Sequence, residues 1–153
     1  MYSNSISSSC ITPVAAVGAN LVELILYGND KARYSGWSAL AGVLPHLRLE
    51  RLDCSRCSGM GCDGAGVIAA VLPKCKALQC LSMVRCAIGD RGGRALASAL
   101  LVIASADSQG QQSLKSIDAS WNRLTGECAK AIVNECVTVG WDVEQMPGGF
   151  RKE

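Results

Sequence analysis

The sequence predicts an α/β solenoid, a short horseshoe of about four to five strand-and-helix repeats with an inner parallel sheet and an outer row of helices. Three observations predict it. A nine-residue pattern recurs four times, each copy is followed by apolar residues at four-residue steps, and the chain is 49% apolar and only 18% charged. The last figure, below the roughly 25% charge of ordinary soluble domains, marks a chain that packs rather than one that stays disordered.

The recurring pattern occupies residues 21–29 (LVELILYGN), 49–57 (LERLDCSRC), 78–86 (LQCLSMVRC) and 114–122 (LKSIDASWN). Each reads L-x-x-L-x-L-x-x-N/C with conservative replacements. The starts at Leu21, Leu49, Leu78 and Leu114 lie 28, 29 and 36 residues apart, and an insertion over 106–112 accounts for the longer last interval. Alternation along each copy sends Leu24, Leu26 and their equivalents inward and the residues between them to the opposite, concave face.

A helical stripe follows each strand: Gly36, Leu40, Leu44; Gly64, Ile68, Leu72; Gly92, Leu96, Leu100; and Cys128, Ile132, Cys136. Four-residue steps place each set on one side of a helix. Pro45 and Pro73 directly follow Leu44 and Leu72, where proline is expected to stop the helix.

The four units in register resemble the leucine-rich repeats of the ribonuclease-inhibitor type, whose units of about 28 residues carry one strand and one helix. Cys86-Ala-Ile88 followed by Gly92, Leu96, Ala97 and Leu100 is the best single match. The departures are Cys54 and Ala119 at a position usually held by Leu, Cys136 at the end of the last stripe, and the stretched third unit. The resemblance covers residues 21–136.

At 153 residues the chain is expected to form one domain. Residues 1–9 read as a Ser-rich leader with no secretory character. Residues 10–20 are the expected N-terminal cap, because Thr12-Pro13 supplies a cap residue and a proline at the first helical position. Residues 137–146 are the expected C-terminal cap, with a partial fifth strand at 141–145, and 147–153 form a tail.

A net charge of +2 gives no broad positive field, so neither nucleic acid nor an anionic membrane is an expected partner. The longest nearly apolar run, residues 95–104, is half the ~20 residues of a spanning helix. Nine cysteines, an odd number without an export signal, predict reduced thiols and a cytoplasmic or nuclear location.

Cys54-Ser-Arg-Cys57 has the spacing of a zinc-binding or redox pair. The repeat gives it a structural account instead, with Cys54 inward and Cys57 bonding the backbone at the turn as Asn29, Cys86 and Asn122 do. Cys62 is expected before a helix, Cys75 after it and Cys80 on the outer side of the sheet, which leaves no four-thiolate site and no metal or other cofactor. His46, the single histidine, falls at a helix end far from any nucleophile, so no catalytic residue is assigned and an enzyme is not expected. Gly59, Gly61, Gly64 and Gly66 lack the lysine and hydroxyl of a phosphate-binding loop and are read as permitting the turn from strand to helix.

The concave face can be written as four columns: Glu23, Arg51, Cys80, Ser116; then Ile25, Asp53, Ser82, Asp118; then Tyr27, Ser55, Val84, Ser120; and last Gly28, Arg56, Arg85, Trp121. Arg56, Arg85 and Trp121 would form a patch beside Tyr27 and Ser120, of the residue types enriched at interface hot spots. Arg85 stacked on Trp121 without a partner is the structural alternative, and Glu23 with Arg51 and Asp53 reads as a solvated charge set. The candidate protein-binding residues are Tyr27, Arg51, Asp53, Arg56, Arg85, Asp118 and Trp121. The resemblance implies a platform for a protein partner. The alternatives are an assembly element of a cytoskeletal type that self-associates through its thin caps, and an activator of a small GTPase, since one set of proteins with this repeat type activates the Ran GTPase.

Overall fold

The computed structural model describes residues 21–106 and 114–138. Strand and helix alternate four times: β1 (Glu23–Ile25), α1 (Tyr34–Val43), β2 (Arg51–Asp53), α2 (Gly61–Val71), β3 (Cys80–Ser82), α3 (Asp90–Ala106), β4 (Ser116–Asp118) and α4 (Gly126–Thr138). The strands form one parallel sheet in sequence order. Their register is unshifted, with Leu24 beside Leu52, Leu52 beside Leu81 and Leu81 beside Ile117. Each unit therefore presents the same face as its neighbour, as expected when apolar positions recur at one fixed offset.

The strands are short, yet their pairing continues past them. Leu26 and Gly28 donate their amides to Asp53 O and Ser55 O at 2.7 and 2.9 Å, and Cys54 and Arg56 donate to Ser82 O and Val84 O at 2.8 and 2.7 Å. Met83 and Arg85 repeat the pair on Asp118 O and Ser120 O, at 2.7 and 3.2 Å.

The core lies between this sheet and the helices. Leu52, Leu81 and Ile117 from the strands meet Leu40, Ile68, Leu96, Leu100 and Ile132 from the helices, all buried. Trp37 is buried with them and donates its indole N–H to Ala32 O at 3.0 Å, so its polar atom is satisfied. Small residues set the helix spacing: a Cβ added to Gly64 would sit 2.9 Å from the Trp37 ring, and one at Gly92 would sit 3.1 Å from Cys62 Cα.

Several expectations change in detail. The α-helices end at Val43 and Val71 as expected, and Pro45 and Pro73 follow inside single 3-10 turns, Leu44–His46 and Leu72–Lys74, at an opening position whose missing amide costs no bond. His46 is exposed there. Gly64 serves helix packing rather than the turn, which Gly61 makes with φ +55. Helix α3 spans 17 residues against 10 and 11 in α1 and α2, so part of the long third unit is extra helix. Residues 137 and 138, expected to open the C-terminal cap, instead end α4, and the rest of that cap, the remainder of the expected insertion, the expected N-terminal cap, the leader and the tail lie outside the described residues.

Candidate functional site

The turn after each strand is built around one side chain that reaches back to the preceding unit. Asn122 donates to Met83 O at 2.7 Å and to Ala119 O at 2.9 Å, while its Oδ1 accepts the amides of Cys86 and Ile88 at 2.9 and 3.0 Å. Cys57 and Cys86 occupy the same rung with thiols that donate to Leu26 O at 3.1 Å and Cys54 O at 3.0 Å. The pair Cys54 and Cys57 is thus structural, as the repeat implies. Asn29 bonds Leu26 O at 2.7 Å within its own unit, and its buried Oδ1 has no partner among the described residues.

Burial pushes the Cys57 thiol up to about 11 and the Cys86 thiol to about 12, and raises Cys54 well above its ordinary value. At neutral pH these groups are protonated thiols, and Cys57 and Cys86 act as hydrogen-bond donors. Cys54, Cys57, Cys62, Cys75, Cys80, Cys86 and Cys128 are free, and no group of three His, Cys, Asp or Glu among the described residues could hold a metal ion. Cys62 lies within the first turn of α2 rather than before it. There its sulfur accepts the Gly89 amide at 3.3 Å. Burial alone would raise its pKa, but hydrogen bonds from the Gly92 and Gly89 amides, and Arg91, lower it below the ordinary thiol value.

The residue immediately before each rung adopts the left-handed conformation: Gly28 has φ +75, Arg56 +56, Arg85 +57 and Trp121 +58. Only the first unit uses the residue type that enters this region freely, and an L side chain there costs roughly 1–2 kcal/mol. The strain is held by pairing across units, since Arg56 and Arg85 each donate their own amide to the next unit. Consequently all four side chains of this row, where present, stand at the same rim of the concave face.

Two stacked pairs result. The Arg56 guanidinium lies 5.5 Å from the Tyr27 ring centroid, and the Arg85 guanidinium lies 4.7 Å from that of Trp121. Arg56 leans toward the first unit and Arg85 toward the fourth, so these adjacent cations point apart, with half-buried Val84 at the neighbouring column. Tyr27 and Trp121 are each 52% exposed. The structure therefore brings Tyr27 to Arg56 and Arg85 to Trp121 as two stacked pairs.

The other candidates sit further down the face. Arg51 is exposed beside Glu23, while Asp53 and Asp118 share a column with Ile25 and Ser82. Each aspartate turns one carboxylate oxygen back on its own chain, Asp53 Oδ1 accepting the Ser55 amide at 2.8 Å and Asp118 Oδ1 the Ser120 amide at 2.9 Å. They fix the end of the strand. Ser55 and Ser120, expected on the concave surface, are buried, and Ser55 Oγ instead pairs with Ser82 Oγ at 2.8 Å.

The family model described as "Leucine Rich repeat" matches residues 74–97, which run from the last turn before β3 into α3. Among solved structures, the chain is similar to "Leiomodin-1 Actin-Binding Site 2 (ABS2)" with a TM-score of 0.66 and 16% identity, over 86% of this chain and 73% of that one. The solenoid is a leucine-rich repeat fold. No curated protein matches. Among the described residues, no helix is long and apolar enough to cross a membrane.

Proposed function

We propose that this leucine-rich repeat chain is a binding module that holds a protein partner on the rim of its concave face, through Tyr27, Arg56, Arg85 and Trp121, with Arg51, Asp53 and Asp118 flanking. The observation that carries the reading is the left-handed row. Arg56, Arg85 and Trp121 stand where glycine would fold with less strain, and residues kept in such conformations mark ligand-contact positions. Arginine and tryptophan are also the side chains that dominate interface energetics. The interval of 28 to 29 residues in the first units supports the ribonuclease-inhibitor subtype.

Affinity capture from the source cell's lysate tests it, comparing wild type with an Arg56→Glu, Arg85→Glu, Trp121→Ala variant whose circular dichroism matches. Retention of a protein by the wild type alone is the expected result. Equal capture by both refutes the rim as the contact.

A second reading is an assembly role in the actin cytoskeleton, favoured by the likeness to a solved domain whose title names an actin-binding site. Co-sedimentation with filamentous actin tests it directly, and a chain left wholly in the supernatant at saturating filament rules it out.

A further inference from the structure

We infer that the rim recognises an acidic segment of its protein partner, with the Arg56 and Arg85 guanidinium groups receiving carboxylates; the inference rests on the rim being the binding surface. Each group is exposed and stacked on a ring, which fixes its plane at low entropic cost and leaves its N–H edges for an acceptor. Among the described residues neither guanidinium pairs with a carboxylate, whereas Arg91 pairs with Asp63 on the helical side. The acids closest along the strands, Asp53 and Asp118, have an oxygen committed to the Ser55 and Ser120 amides.

Two cations without an internal counterion, held by strained backbone, form a surface that is complementary to negative charge from outside. A carboxylate fits the planar fork of an arginine through two parallel hydrogen bonds. A nucleic acid fits this surface less well. A face of each ring is already covered by a guanidinium, the adjoining column carries Asp53 and Asp118, and the chain's net charge is only +2. Half-buried Val84, directly before Arg85 in the chain, adds a small apolar contact, so the segment that fits best carries an apolar residue among its acids.

Selection of a phage-displayed random heptapeptide library on the folded chain tests this, with the Arg56→Gln, Arg85→Gln double variant as the control. The expected result is enrichment of peptides carrying at least two Asp or Glu, lost on the double variant. A synthesised winner should bind about ten-fold or more weakly when its acids become Asn or Gln, and weaken as salt rises. Enrichment without acids, no enrichment, or the same acidic peptides on both proteins overturns the inference, as does tighter binding of a ten-residue oligothymidylate. Should the lysate partner be lost with Trp121→Ala yet retained by the double Gln variant, the rim stands as the binding surface and carboxylate recognition falls.

Discussion

Asn122 accepts the amide of Cys86 at 2.9 Å, while Cys86 fills the same rung one unit earlier with a thiol. The carboxamide closes four strong bonds at its rung, whereas the Cys86 thiol closes one short contact at 3.0 Å and a longer one at 3.6 Å. Asn122→Ala removes the partner of two amides and two carbonyls at the junction and should lower unfolding free energy by about 2–3 kcal/mol. Cys86→Asn should raise it by about 1 kcal/mol, because the larger donor and acceptor set matches the turn. Urea unfolding midpoints at constant slope decide both signs.

Gly64 and Gly66 lie two residues apart on α2 and should respond oppositely to alanine. A Cβ at Gly64 would meet Met60 Cγ at 2.7 Å and Trp37 at 2.9 Å, while one at Gly66 meets nothing within 4 Å. Gly64→Ala should destabilise by about 1–3 kcal/mol through overpacking. Gly66→Ala should stabilise by about 0.5–1 kcal/mol by restricting the unfolded chain. Thermal melts of the two variants beside wild type separate these outcomes.

Thiol labelling should follow the hydrogen bonds rather than the sequence. Cys62 alone among the described cysteines has its pKa lowered, so iodoacetamide at neutral pH should modify it first, with Cys54, Cys57 and Cys86 protected until unfolding. Time-resolved peptide mass spectrometry reads the order, and early modification of Cys86 would contradict the burial argument.

The same thiols tie stability to alkaline pH. An unfolded thiol ionises near 9.0, whereas folded Cys57 and Cys86 hold their protons to about 11 and about 12. A folded value above the unfolded one favours the folded state fully below pH 9, and that contribution falls away as pH rises from 9 through the folded values. The melting temperature should therefore decline from pH 9 upward, and less steeply in a Cys57→Asn, Cys86→Asn variant.

Arg85→Gly isolates what the left-handed row is for. Glycine removes the strain at φ +57 but also the stack on Trp121 and some chain stiffness, so stability should stay within about 1 kcal/mol of wild type. Partner capture should nonetheless be lost. A large fall in stability would assign Arg85 to the fold instead of the contact.

The spacing of leucines made the register legible, because one offset places Leu24, Leu52, Leu81 and Ile117 side by side. The rung was legible too, since Asn29, Cys57, Cys86 and Asn122 share one position in the pattern. Strand alternation misplaced Ser55 and Ser120, because it was carried past the strand's end. Beyond Asp53 and Asp118 the carboxylates bond the Ser55 and Ser120 amides, and these two short side chains are covered, Ser55 against Ser82. The left-handed row was invisible for a related reason: Gly28 hinted at it in one unit, but Arg56, Arg85 and Trp121 carry no propensity for that conformation. At Arg56 and Arg85 the cross-unit hydrogen bonds hold it.

Because the sheet has no shear, the chain's length is meaningful only in whole units. Excising 29 residues, 52–80, would join Arg51 to Leu81 and leave the leucine pattern unbroken, with α1 meeting α3 where α2 had been. Losing one residue more or fewer at that junction would turn the rest of that strand's side chains to the opposite face, whereas the intervals of 28, 29 and 36 residues between units are absorbed in loops and helices. Insertions and deletions in this chain are thus filtered by arithmetic: gains and losses survive as complete copies of the repeat, or are absorbed where a helix can lengthen, as α3 does.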